Sequence, residues 1–408
     1  MTVIKQAQRY ETLTVIISDR LSTILEKGEV VDRYYNPGNL FRNVHIVLTN
    51  DDRPDAQKVQ RMVGDAKLHL HNLPSGKSLF VKSLGWQRLL LKWLWLERGI
   101  ELIRSIGPQL IRVHNCFLEG YLAREAKVRL GIPYVVSLHG VWDRDEVDTV
   151  KGKIIRFFRE KLERQALGDS DAALCVYQPI VRYARNHGAR NVHLVYNIVA
   201  GSSVKQKTSY ALAAVPRLIT VNRQLKEKNP ENIIRAAAEL GCEYLLVGTG
   251  AYHEQLKALA ADLGCADRIK FVTAMPNEQL CALYADYDIM VAHCDYWGMS
   301  KTTIEGALAG LPIVLNQHPV EPIPEYEGGW VELCENSVAG YKNAIRNLLD
   351  NLSMREALGR HAFSHAQTTF DPEVMEQKTI DIYVSAIAQL KVNTCGGCCS
   401  SNKPANPP

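Results

Sequence analysis

The chain has 408 residues, 46% hydrophobic and 23% charged, with a formal net charge of +4. That length accommodates two globular domains, the composition excludes a disordered chain, and the mild charge gives no basis for a nucleic-acid partner. No run of about eighteen uncharged apolar residues is present and the N-terminus lacks a signal-peptide core, so a cytoplasmic setting is expected. The 10 Cys are mostly isolated in apolar patterns, as at Cys175, Cys281 and Cys294, which fits buried thiols in a reducing compartment.

In chain order, strands are expected at 13–18 and 44–50. Between them, KGEVVDRYYNPGNLF is too polar and turn-rich for a regular element. Lys27, Gly28 and Glu29 read either as a substrate loop at the sheet edge or as an excursion around Asn36-Pro37-Gly38. A helix over 86–106 places Leu89, Leu90, Trp93, Leu96, Ile100 and Ile103 at helical spacing. A second basic helix, 151–166, sets Ile154, Ile155, Phe157 and Phe158 among Lys153, Arg156, Arg159 and Lys161. Two readings stand for these helices: core-facing elements with a solvated basic side, or a peripheral contact with anionic lipid headgroups. Strands at 110–114 and 133–138 are joined by a helix at 118–130. The second strand delivers His139 to its carboxyl end, where open α/β sheets bind ligands. Asp143, Arg144 and Asp145 follow on the same loop and could face an acceptor. Strands at 172–177 and 192–196 close the first sheet, and 197–215 has no apolar periodicity.

The pattern restarts with a strand at 217–221, followed by a loop bearing Arg223 and Lys228. Pro230 suits the first turn of a helix at 231–240. Two cations at a strand's end can neutralise a diphosphate. A strand at 244–247 ends in Gly248-Thr249-Gly250, by itself a weak dinucleotide signal. Helices at 252–263 and 277–285 and a strand at 269–272 lead to the most informative stretch, CDYWGMSKTTIEGALAGLPIVLN, from Cys294 to Asn316. A strand at 288–292 feeds a loop with Gly298, and Ser300 stands as N-cap of a helix at 301–308. Gly310 and Pro312 end it before the next strand. Strand, loop and helix start place the N–H groups of Lys301 and Thr302 at a sheet's carboxyl edge, an anion site suited to a diphosphate. Glu305, one turn in, offers a carboxylate to the two hydroxyls of a ribose. Glu321 and Glu325 lie on a turn-rich edge, and helices are expected at 337–349, 354–369 and 372–390. From Asn393 the composition reads as a disordered tail, whose Cys395, Cys398 and Cys399 fall one ligand short of a zinc site.

The segment IEGALAGLPIVLN resembles the nucleotide-ribose segment of the GT-B-fold retaining glycosyltransferases of family 4, also called glycosyl transferases group 1. Glu305 matches the second of that family's two Glu; the first falls at Trp297, with Asp295 the nearest carboxylate. Arg223 and Lys228 match the pair that holds the donor diphosphate, although Asn222 stands where the family has Gly. His139 matches a His that contacts the donor sugar, Gly28 alone matches a Gly-rich loop, and Gly248 and Gly250 match the loop near the base. Two consecutive αβ repeats with a linker between them imply an α/β fold of two doubly wound Rossmann-like domains facing a cleft, and the resemblance implies the GT-B arrangement of them. It implies an acceptor-side domain at 1–200, a linker at 201–216, a nucleotide-sugar domain at 217–371, a helix at 372–392 crossing back, and a tail at 393–408. It further implies sugar transfer from a nucleotide-sugar to a glycan, lipid-linked or small-molecule acceptor, with retained configuration and neither metal nor other cofactor. Arg223, Lys228 and the N–H groups of Lys301 and Thr302 would stabilise the leaving diphosphate, with Glu305 on the ribose and His139 on the sugar. For the missing first Glu two candidates remain: Asp295 folding back, or Trp297 stacking while backbone at Gly298 and Met299 contacts the hydroxyls. The missing Glu also leaves open a non-catalytic nucleotide-sugar or glycan-binding protein.

Overall fold

The computed structural model describes residues 9–28, 30–75, 87–140, 149–199, 204–225, 228, 230–293 and 298–396. Glu29, Asp143, Arg144, Asp145, Cys294, Asp295, Trp297, Cys398 and Cys399 lie outside the described residues.

The first half supplies β1 (Tyr10–Ile17), β2 (Phe41–Leu48), β3 (Lys67–Asn72), β4 (Leu110–His114), β5 (Tyr134–Leu138), β6 (Ala172–Cys175) and β7 (Val192–Leu194). They form one parallel sheet in the order β3-β2-β1-β4-β5-β6-β7. The second half supplies β8 (Arg217–Val221), β9 (Glu243–Val247), β10 (Ile269–Val272), β11 (Ile289–Ala292), β12 (Ile313–Asn316) and β13 (Glu332–Cys334), ordered β10-β9-β8-β11-β12-β13 and likewise parallel. Helices cover both faces of a parallel sheet, so its central strands are buried along their length; β4 and β5 are buried at every position, although β4 carries Arg112 and His114 and β5 carries Ser137. Each order reverses once, between β1 and β4 and between β8 and β11, opening a crevice at the carboxyl ends of those strands.

On one face of the first sheet, Ile16, Ile111, Val113 and Val136 pack under the helices Gln87–Ile106, Leu118–Leu130, Val150–Gly168 and Gln178–Asn186. On the other, Leu13, Val15, Leu110 and Val135 pack against Met375, Ile380, Tyr383 and Ile387 of the last helix, Pro372–Gly396. The chain thus leaves the second domain and returns to the first. Glu376 on this helix pairs with Arg33 at 3.1 Å and accepts the Gly38 N–H at 2.7 Å.

Three sequence expectations change. The last helix runs to Gly396, so the tail does not start at Asn393; no breaker precedes the Gly396-Gly397 pair. Pro230 is the N-cap of Glu231–Leu240 instead of lying in its first turn. Trp93, placed on the apolar stripe with Leu96, Ile100 and Ile103, is 54% exposed while those three are buried. A 20-residue helix, about 30 Å long, outruns even the eight-residue strand β1 on which it packs, and its first turns overrun the sheet. The described cysteines Cys116, Cys175, Cys242, Cys265, Cys281 and Cys334 are buried free thiols. No described helix is long and apolar enough to cross a membrane.

If the last helix is a structural part of the first domain's core, Tyr383→Ala costs about 3 kcal/mol of stability, as truncation of a fully buried aromatic does. Urea unfolding measures this, and a loss under about 1 kcal/mol would detach the helix from the core.

Candidate active site

The loops after β8 and β11 flank the switch point of the second sheet. Arg223 is exposed and Lys228 partly buried on the first of them. A residue the sequence reading missed, Gln224, holds that loop. Gln224 is fully buried; its Nε2 donates to the Gly248 carbonyl at 2.8 Å, and its Oε1 meets His253 Nδ1. The Gln224 N–H donates to the Thr249 carbonyl at 3.1 Å, and its own carbonyl accepts from Tyr252 N–H at 3.0 Å. This clamp explains the glycines. A Cβ on Gly248 would stand 1.9 Å from the Asn222 carbonyl oxygen, at a φ of +135°, and one on Gly250 would stand 2.2 Å from the Gln224 carbonyl oxygen. Gly248 and Gly250, expected as substrate contacts, have a packing reason of their own: two backbones touch there. Both side-chain polar atoms of Asn222 are buried without a partner among the described residues.

Ser300 caps the helix Lys301–Leu308, its Oγ accepting the Thr302 N–H at 3.2 Å. This corrects the expectation for Thr302, whose N–H is taken by the cap; the Lys301 N–H has no acceptor among the described residues. The Thr302 hydroxyl donates to the Val221 carbonyl at 3.1 Å, tying this helix start to the end of β8. Glu305 is 4% exposed, and its carboxylate accepts from Asn277 Nδ2 at 2.9 Å and from the Tyr284 hydroxyl at 3.1 Å. The pair fixes its orientation.

Across the cleft, His139 follows β5. Its Nε2 lies 3.2 Å from Ser137 Oγ and 3.4 Å from the Tyr34 hydroxyl, and its ring stacks on His114 with centroids 5.3 Å apart. Burial first, then the charges of Lys301 and Arg112, push its pKa down to about 3, so the imidazole is neutral near pH 7. His114 is shifted down by burial and by Arg112. Tyr34, Arg112, His114 and Ser137 gave no motif in the sequence. Arg112 and His114 did leave a signal, since polar residues alternating with apolar ones along β4 are unusual in a doubly covered strand; Tyr34 and Ser137 left none.

Four contacts bring the two edges together. A Cβ on Gly28 would lie 3.1 Å from Asn277 N, so the turn after the short helix Leu21–Glu26 rests on the residue that orients Glu305. A Cβ on Gly298 would lie 2.8 Å from the Tyr177 ring of the first domain. Arg182 pairs with Glu321 at 2.7 Å, and Glu325 accepts the Gln178 N–H.

The His139 shift has a sign for stability. Its folded pKa of about 3 lies below the ordinary 6.5, so the unfolded chain takes up the proton first as the pH falls. Its contribution is complete above the unfolded value and is lost through the window below it. We expect Tm to fall less steeply between about pH 6.5 and 4 in His139→Asn than in the wild type. Equal slopes would place this imidazole in solvent.

Two family models match: Glycosyl transferase 4-like domain over residues 40–197 and Glycosyl transferases group 1 over residues 206–365. The D-inositol 3-phosphate glycosyltransferase of Acidothermus cellulolyticus is 29% identical over 325 residues, 71% of this chain and 70% of its own. The GDP-mannose-dependent alpha-(1-6)-phosphatidylinositol monomannoside mannosyltransferase of Mycolicibacterium smegmatis is 26% identical over 168 residues, 38% of this chain. That match spans 44% of the relative's length, less than half of it. Among solved structures, the sucrose-phosphate synthase of Thermosynechococcus elongatus superimposes with a TM-score of 0.71 at 16% identity, covering 93% of this chain and 100% of that one. With one family model over each half and the fold shared along nearly the full length, the protein belongs to the GT-B glycosyltransferases.

Proposed function

We propose that the protein transfers a sugar from a nucleotide-sugar to an acceptor hydroxyl with retention of anomeric configuration. The observation that carries this reading is the meeting of the Arg223–Lys228 loop with the start of the helix Lys301–Leu308 at the switch point, tied by the Thr302–Val221 hydrogen bond. In the reaction, the bond between the anomeric carbon and the diphosphate oxygen breaks. The acceptor hydroxyl oxygen bonds to that carbon on the same face, and its proton passes to the departing diphosphate. Arg223, Lys228 and the Lys301 N–H stabilise the charge that develops on the leaving group. They do so without a divalent metal. His139, neutral, hydrogen-bonds a sugar hydroxyl instead of shuttling a proton. Glu305 receives the ribose, with Asn277 and Tyr284 holding it in place. Ser300 and Gly298 shape the loop beneath the sugar, and Asp295 takes over part of the role of the missing first Glu. The acceptor is a glycan, a lipid-linked sugar or a small molecule that enters from the first domain.

A screen of UDP-, GDP- and ADP-sugars for nucleoside diphosphate release tests the reading. The relatives named above, a GDP-mannose-dependent enzyme and a D-inositol 3-phosphate glycosyltransferase, set its starting panel. With the active donor, Arg223→Ala and Lys228→Ala each lower turnover about a hundredfold. Asp295→Asn weakens donor affinity, and excess EDTA leaves the wild-type rate intact. Wild-type turnover in both cation variants, or a loss in EDTA restored by magnesium, would sink the mechanism. Donor binding with no release in any arm would favour a nucleotide-sugar-binding protein.

We also propose peripheral adhesion to the inner face of an anionic membrane. Trp93 is 54%, Phe157 65% and Phe158 50% exposed, and Lys153 and Lys161 lie exposed on the same helix as the two Phe. Such adhesion weakens with salt. Co-sedimentation with phosphatidylglycerol vesicles at low salt, reversed at high salt, is the expected result. Its absence at low salt would leave these helices as packing elements.

A further inference from the structure

A cavity of about 530 Å³ opens where the chain passes twice between the domains. Its walls are the loop Val30–Tyr34, the sheet at Arg112, Ser137 and His139, the segment Val195–Val199 after β7, and the start of the last helix at Asp371–Glu376. Arg112 sits in the middle of β4 and is 4% exposed. Its Nη1 donates to the Tyr34 carbonyl at 2.8 Å, and its Nη2 lies 3.4 Å from Ser137 Oγ. The guanidinium stands over the Tyr34 ring at 4.9 Å and the Tyr35 ring at 5.9 Å. Its Nε and the Tyr383 hydroxyl are both buried without a well-formed hydrogen bond.

No described carboxylate forms an ion pair with Arg112, and a buried cation in that state carries a large desolvation cost. The carboxylates of the cavity wall are committed elsewhere. Asp32 pairs with Arg61 at 2.9 Å, Glu376 with Arg33, and Asp371 caps its own helix through the Glu373 and Val374 N–H groups at 2.7 and 3.0 Å. Glu373 is exposed at the rim. The site therefore holds a fixed positive charge facing a cavity, without a negative partner from the described protein.

We infer that this cavity seats the anionic group of the acceptor, a phosphate ester of a sugar or polyol, on Arg112 with Ser137 beside it. The inference rests on the glycosyltransferase reading and names the acceptor class for it. The volume is in the range of small-ligand sites and suits a group of monosaccharide size. The location suits an acceptor. Arg112 and Lys301 both lie close enough to His139 to act on its charge, so the cavity adjoins the helix start that the donor reading assigns to the diphosphate, with the imidazole near both. An arginine fork matches a phosphate in a bidentate manner, and the buried setting strengthens the pairing.

The test measures binding by calorimetry with the donor half saturated by nucleoside diphosphate, so that a phosphate cannot report the donor site. Glucose 6-phosphate, glycerol 3-phosphate and lysophosphatidic acid are titrated into the full chain, with glucose and glycerol as neutral controls. The phosphate esters bind, the neutral controls do not, and Arg112→Gln weakens the esters about tenfold or more while Arg112→Lys retains part of the affinity. Nucleoside diphosphate affinity stays at the wild-type value in both variants. Tighter binding of lysophosphatidic acid than of glycerol 3-phosphate assigns a lipid-borne headgroup, and equal binding assigns a soluble acceptor. The inference is overturned if no ester binds the wild type, or if Arg112→Gln binds the esters as the wild type does. Should Arg112→Gln fail to fold, Arg112→Lys and the wild type decide by the same comparison. Loss of nucleoside diphosphate binding by the wild type would count against the glycosyltransferase reading alone, because ester binding is also measurable without it.

Discussion

The cleft depends on one piece of packing, the apolar face of the helix Pro372–Gly396 against the first sheet. Met375, Ile380, Tyr383 and Ile387 complete a core whose other side is Leu13, Val15, Leu110 and Val135. At about 25 cal/mol per Å² of apolar surface, burying several such side chains is worth several kcal/mol. That is ample to hold a segment that also carries the chain back from the second domain. With this helix seated, the linker and the crossover lie side by side, and the carboxyl edges of the two sheets face each other. The hinge cavity, the Arg33–Glu376 pair and the approach of Tyr383 to Arg112 all follow from it.

Electrostatics in the cleft follow from burial. His139 and His114 stand among cations in a poorly solvated place, so both are held neutral. A neutral imidazole donates one hydrogen bond and accepts another, which suits recognition of hydroxyls better than proton transfer. Positive charge comes instead from groups that cannot lose it easily, Arg112 on one side and the Arg223–Lys228 loop on the other. Glu305 keeps its orientation through Asn277 and Tyr284, and Asn277 in turn meets Gly28 of the first domain. The contact between domains is therefore mechanically continuous with the group assigned to the ribose.

Glycine shows how one pattern serves two causes. Gly248-Thr249-Gly250 has the look of a phosphate loop, yet its glycines are required where the backbone of Asn222 and Gln224 presses against them. Gly298 is required by the Tyr177 ring, which arrives from the other domain. In each case the missing Cβ makes room for protein. A short Gly motif records a close approach without saying what approaches.

Much was legible because it is local. Apolar runs bounded by turn residues marked the central strands, and Leu110–His114 and Leu118–Leu130 fall where periodicity put them. Ser300 announced its cap, and the αβ alternation announced two doubly wound sheets. Edge elements were harder: β3 alternates Leu68 and Leu70 with Lys and His but has only those two aliphatic residues, and β13 has three residues. Gln224 and Tyr34 were invisible as site residues, since their meaning lies in contacts with residues far along the chain. The sequence by itself determined the strands, the helix starts and the charges at the carboxyl edges, because these depend on neighbours within a few residues. Only the tertiary structure decided which glycines are spacers, and that Arg112 is buried without a carboxylate partner among the described residues, because each depends on what a distant segment brings into contact.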